Sequence, residues 1–126
     1  MAKNAFNAEG APAAVGPYSH AAWAGNTLLV SGQIALDQNG KLLTSDIKTE
    51  TKQVLENVKT IIQAAGLTMD HIVKCSIFLN DMDNFASVNE VYAGYFPSNP
   101  PARECVAVRT LPKHVNVEIS VIAYKD

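Results

Sequence analysis

Charge is the scarcest resource in this chain. Only 17% of its 126 residues are Asp, Glu, Lys or Arg, and the 10 basic and 12 acidic side chains leave a formal net charge of −2. That balance lacks the basic footprint of a nucleic-acid binder, and a surface so thinly charged favours self-association. The 2 cysteines, Cys75 and Cys105, form no CxxC pair and no Cys/His ligand spacing, so a disulfide framework and a zinc site are both disfavoured. The 3 histidines, His20, His71 and His114, are scattered and carry no metal signature. No apolar run is long enough to span a bilayer, and none of signal-peptide length follows MAKNAFNAEG. The expectation is a cytoplasmic protein without membrane partners. Low-complexity segments are absent too, and 48% hydrophobic residues in this length predict a single domain, 1–126, burying roughly two-thirds of the surface its unfolded chain exposes.

What is present converges on residues 99–123, NPPARECVAVRTLPKHVNVEISVIA. Pro100 and Pro101 stiffen the backbone ahead of Arg103, because each ring fixes φ and restricts the residue before it. A planar guanidinium held this way suits a small carboxylate, for a charge-assisted contact of about 1.5–3 kcal/mol. On a strand, Cys105 points to the same side as Arg103. TLPKH is read as the turn of a hairpin that returns the chain into a second strand. There Val115, Val117, Ile119, Val121 and Ala123 share one face; Asn116, Glu118 and Ser120 share the other. From residue types alone, Arg103 and Glu118 are also compatible with an ordinary surface ion pair. Pairing Arg109 with Val115 turns Glu118 away from Arg103 and Cys105; a one-residue shift, a bulge or a cleft shared by two chains would reunite them. Cys105 has no base beside it in sequence, so a structural thiol is read there rather than a nucleophile.

The remainder reads as scaffold. Residues up to Gly16-Pro17 are rich in Ala, Pro and Gly and are expected to be loop or irregular edge. Tyr18, Ser19 and His20 follow, then a short strand near Trp23, a Gly25-Asn26 turn and a strand TLLVSGQIAL with Leu29 and Ser31 on one face. Gly32 within it marks either a bulge or a close approach of ligand to backbone. Gln38-Asn39-Gly40 predicts a hairpin with KLLT. From Ser45 to Ala65 the period changes to about 3.6, with Ile47, Val54, Leu55, Val58, Ile61, Ile62 and Ala65 on one stripe, Ser45 as N-cap and Gly66 as stop. HIVKCSIFL is read as a strand, with Val73, Cys75, Ile77 and Leu79 together. A second helix follows from about Asn84 to Phe96, capped by Asp81 or Asp83, with Asn89 beside its apolar stripe. The order predicts an α+β fold with two helices on one face of a mixed sheet, and the other face left apolar for a partner.

GPYSHA, SGQI, PARECV, LPK and VEISVIA together resemble the Rid (YjgF) family of reactive-intermediate deaminases, over about Ala11 to Tyr124. The resemblance implies a chorismate-mutase-like fold with a mostly antiparallel six-stranded sheet, assembled as a homotrimer with ligand clefts between subunits. It implies hydrolysis of 2-imino acids such as 2-iminopropanoate and 2-iminobutanoate, or their enamines, to 2-keto acids and ammonia, without metal or organic cofactor. Arg103 would grip the carboxylate, helped by the Cys105 main chain, and Glu118 would direct water. Tyr18, Ser31, Gly32 and Asn89 would line the substrate site. Two positions depart from the pattern: His20 stands where glutamine is frequent, and Ser120 where many members carry a second acid. The competing class is a non-catalytic trimer that binds small carboxylates and regulates another protein. A ribonuclease or translation inhibitor is disfavoured by the acidic balance.

Overall fold

The computed structural model describes residues 2–126. Six strands form one sheet in the order β1-β2-β3-β6-β4-β5: β1 Asn4–Phe6, β2 Ala21–Ala24, β3 Thr27–Gln33, β4 Ile72–Leu79, β5 Ala102–Ala107 and β6 Val117–Tyr124. Only β4 and β5 run parallel. Helices α1, Ile47–Ala64, and α2, Phe85–Tyr95, pack against each other, and α1 lies against β3 and β6. The six-stranded α+β arrangement matches the sequence expectation, with a changed membership. Asn4–Phe6, expected to be loop or irregular edge, supplies an edge strand, whereas KLLT makes only the isolated bridge Leu36–Leu42.

Helix α1 forms where the 3.6 period predicts it, and Val54, Leu55, Val58, Ile61 and Ile62 are fully buried. Its N-cap is Asp46 rather than Ser45, since the Asp46 carboxylate accepts the Thr49 N–H at 2.9 Å. Gly66, at φ +83°, closes the other end: its N–H reaches Gln63 O and the Leu67 N–H reaches Ile62 O, satisfying carbonyls the helix leaves open. Val73 is 50% exposed and Ile72 takes its place in the core, because the β4–β6 register shifts between Ile72 and Lys74. Beyond that bulge Cys75, Ile77 and Leu79 are buried as their alternation predicts.

The expected β5–β6 hairpin does not form. Strand β6 is central, between β3 and β4, and β5 crosses beyond β4 to the sheet edge. The physical reason lies in the connection. Leu111 and Val115 bury themselves with Ile34 and Leu36, which carries the chain over the end of β4 instead of back along β5. At that end Val108 N–H bonds to Leu79 O on one side and Asn80 N–H to Asn116 O on the other. The apolar groups left off the helix side are Leu29, Phe78, Val106 and Ile122. Leu28 and Ile77 themselves have no exposed surface under the helices.

Candidate functional site

Alternation along each strand divides the candidate residues between the two faces of the sheet. Cys75 pairs with Arg103 and Ile77 with Cys105, and since Cys75 and Ile77 face the helices, so do Arg103 and Cys105. Phe78 pairs with Glu118, on the opposite, open face. Within one chain the two proposed catalytic residues therefore stand back to back, and no one-residue slip is involved.

On the helix side, α2 builds a seat for the arginine. Phe85, Asn89 and Tyr92, spaced to fall on one side of the helix, all reach Arg103. The guanidinium lies 4.8 Å from the Tyr92 ring centroid and 5.7 Å from that of Phe85, and its Nη1 donates to Asn89 Oδ1 at 2.7 Å. Cation–π contacts of this kind contribute about 0.5–1 kcal/mol each and hold the planar group in one orientation. Asn89 is thus half-buried and bonded to the arginine. Below it, the Tyr92 hydroxyl is buried beside the Cys75 sulfur without a hydrogen bond, and burial pushes both groups' pKa values up. Burial likewise raises the Cys105 thiol, against the pull of Arg103, which argues against a thiolate nucleophile.

On the open face, Glu118 shares a cleft of about 300 Å³ with Val15, Tyr18, Ser31, Gly32, Ile34 and Pro112. The β3–β6 register shifts between Val30 and Gln33, so Gly32 sits in a bulge. The Glu118 side chain occupies the space above it: a Cβ added to Gly32 would lie 2.8 Å from Glu118 Cδ and 3.1 Å from Cγ. Of the two sequence readings of Gly32 the structure shows the bulge, and the space above it is taken by the Glu118 side chain. Desolvation raises the Glu118 pKa, and it has no ion-pair partner among the described residues. Ser31 donates its hydroxyl to Ser19 O at 2.7 Å and the Tyr18 hydroxyl accepts the Val15 N–H at 3.3 Å. His20 does not line this cleft; its ring is buried behind the cleft wall. Ser120 faces a separate depression on the open face with Lys74, Ser76 and Leu29.

Residues that sequence reasoning passed over include Glu50 and Asn57, both buried on α1. Glu50 accepts from Asn116 N and Nδ2, each at 2.7 Å, and from Val117 N at 3.2 Å, anchoring β6 two residues before Glu118. Asn57 donates to Ile34 O and Leu36 O. Glu50 and Asn57 lie on the same side of α1 as Val54 and Ile61, and that periodicity was the available signal. Glu56, on the same helix, accepts the Tyr95 hydroxyl at 2.5 Å. Both cysteines are free. Among the described residues no three His, Cys, Asp or Glu side chains gather as metal ligands would, and no helix is long and apolar enough to cross a membrane.

These features define an α+β protein with a helix-seated arginine on one side of its sheet and a desolvated carboxyl group in a cleft on the other. Comparison with known proteins makes the class specific. A family model described as endoribonuclease L-PSP matches residues 8–125. A RutC family protein of Pyrococcus horikoshii is 48% identical, covering 98% of this chain and 99% of its own. A 2-iminobutanoate/2-iminopropanoate deaminase of Salmonella typhimurium is 42% identical over 93% and 94% of the two chains. The crystal structure of Escherichia coli TdcF with bound serine superposes with a TM-score of 0.92 at 37% identity, covering 98% of this chain and 99% of that one. The chain belongs to the endoribonuclease L-PSP family, the YjgF/Rid group of proteins.

Proposed function

We propose that the protein hydrolyses small 2-imino acids, or their enamine tautomers, to 2-keto acids and ammonia, in clefts shared between the subunits of a homotrimer. The observation that carries the reading is the pairing of an oriented arginine with a half-buried, unpaired carboxyl group on opposite faces of one sheet. A second copy whose edge strand β5, carrying its helix-side arginine, overlapped the open face would bring one chain's arginine to its neighbour's glutamate. The exposed apolar groups of that face, Leu29 and Val106 at 44% each, favour such a contact. The deaminase name of the Salmonella relative and the serine bound to TdcF support a small amino-acid-like carboxylate as the ligand class.

In this reading Arg103 spends one N–H on Asn89 and offers others of its five to the substrate carboxylate, with the Cys105 main-chain N–H assisting. Glu118, ionised, takes a proton from water as the oxygen attacks the imine carbon. With the imine entering protonated, this gives a neutral amino alcohol. The carboxyl group passes its proton to the nitrogen, ammonia leaves as the C–N bond breaks, and the hydroxyl proton returns to the carboxylate as the carbonyl forms, to be taken up by the released ammonia. Tyr18, Ser31 and Gly32 wall the cleft. The role of the fold is to hold and orient an already electrophilic centre.

The test is a subunit-mixing experiment in a coupled assay that generates the imine with an amino-acid oxidase. Arg103→Ala and Glu118→Gln chains are each expected to be inactive. Unfolded and refolded together in equal amounts, they should recover about a quarter of wild-type activity, because three-quarters of random trimers are mixed and one cleft in three of each is complete. No recovery from well-folded mixed trimers would defeat the shared cleft. Keto-acid binding without turnover in the wild type would instead favour a carboxylate-binding regulator, which the arginine seat alone could serve.

A further inference from the structure

The segment that walls the Glu118 cleft is a loop closed by one histidine. Both ring nitrogens of His20 are engaged: Nδ1 accepts the Ala8 N–H at 3.0 Å, so Nε2 carries the proton, which it donates to Pro12 O at 2.8 Å. The His20 N–H donates to Asn7 Oδ1 at 3.0 Å, and the residue is only 5% exposed. Its ring therefore grips the chain at Pro12 while its own backbone is the far end of the same loop, a compact Ω-type closure. Between those two points lie Val15 and Tyr18, which line the cleft, braced by Tyr18 N–H to Gly16 O at 2.9 Å. The same junction holds the cleft floor, since His20 O accepts the Ser31 N–H at 2.9 Å and Ser19 O accepts the Ser31 hydroxyl at 2.7 Å.

We infer that His20 is a positioning residue: its neutral, Nε2-protonated ring pins the Pro12–Tyr18 wall against the Ser31-Gly32 bulge and keeps the Glu118 carboxyl group screened from water. It touches neither Glu118 nor the cleft and acts through the loop it closes. The groups facing Glu118 besides this wall are neutral along the sheet, Phe78 and Ser120; Tyr18 is the titratable side chain lining the same cleft, and Lys113 follows Pro112 at its rim. Loosening the wall therefore acts on Glu118 chiefly through solvent access.

The structural part of this inference is independent of the reaction; its effect on turnover rests on the deaminase reading. The experiment compares wild type with His20→Gln, whose amide retains one acceptor and one donor, and His20→Leu, which retains neither. In His20→Leu the Ala8 amide should exchange with solvent at least about tenfold faster, and the Glu118 carboxyl pKa, followed by carbon NMR, should fall toward its ordinary value. His20→Gln should keep both close to wild type. Wild-type exchange and titration in His20→Leu, or a glutamine variant indistinguishable from the leucine one, would overturn the assignment. Should the leucine variant not fold, the wild-type ring nitrogen shifts decide: an Nδ1-protonated or charged imidazole at neutral pH refutes the pin. In the coupled assay His20→Leu should lose about tenfold in kcat/KM and His20→Gln less than about threefold. Absence of turnover in the wild type counts against the deaminase reading alone, because the exchange and titration readouts judge the pin without it.

Discussion

Gly32→Ala is the most discriminating single change, because its effects on activity and on stability should separate. The added methyl carbon would start 2.8 Å from Glu118 Cδ, inside the roughly 3.5–4 Å at which carbon atoms rest, so one of the two must retreat by about 1 Å. Gly32 lies in a bulge without a positive φ, so alanine fits its backbone. The glutamate side chain is the softer partner and should swing off the bulge. Displacing a catalytic group by about 1 Å can cost on the order of 10²-fold, equivalent to about 2.7 kcal/mol in the barrier. Stability should change little, since the loss of glycine's freedom in the unfolded chain contributes about 0.4–1 kcal/mol in the opposite direction to the repacking cost. The measurements are kcat/KM in the coupled imine assay and the thermal midpoint. Undiminished kcat/KM in a folded Gly32→Ala protein would refute this account.

Glu118→Gln should abolish turnover yet leave the protein as stable or more stable at neutral pH. The folded-state pKa of Glu118 is raised by burial, so its contribution is most favourable below the unfolded value and is lost as pH rises through the folded one. The gain from the amide is at most about 1 kcal/mol, since the carboxyl group is only half-buried; a clear loss of stability at neutral pH would contradict it. For the same reason the acid limb of the wild-type pH–rate profile should lie above the ordinary carboxylate range and disappear with Glu118. Arg103→Lys should fail to restore the turnover that Arg103→Ala loses, with a KM for a carboxylate substrate about tenfold or more above that of wild type, because an ammonium cannot stack between Phe85 and Tyr92 while presenting a planar fork. Equal KM for lysine and arginine would argue against the fork. Glu50→Gln should lower the thermal midpoint by several degrees: the amide offers one acceptor and two N–H groups to a site built from three donors, a loss of about 1–3 kcal/mol. An unchanged midpoint would show that the network is dispensable.

What the amino-acid order by itself determined were the features governed by local periodicity. Helix α1 and its Gly66 stop, the burial of alternate residues from Val115 to Ala123, and the opposite orientations of Leu28 and Leu29 follow from spacings of 3.6 and 2 acting over a few residues. The candidate residues were legible as well, through a combination of short motifs that resembles one family. Tertiary structure alone decided strand order, because pairing partners are chosen by burial between segments far apart in the chain. Nothing local in TLPKH announces that Leu111 and Val115 will pack on Ile34 and Leu36, yet that contact carries β5 past β4 and replaces a hairpin with a parallel edge strand. The bulge at Val73 and the three donors around Glu50 are likewise invisible until the partner strand is in place. Arg103 and Glu118 stand on opposite sides, as the Arg109–Val115 register also had them, but tertiary structure set the relation by another path. Alternation assigns each a side of its own strand, and β4, lying between the two strands, fixes that the sides are opposite.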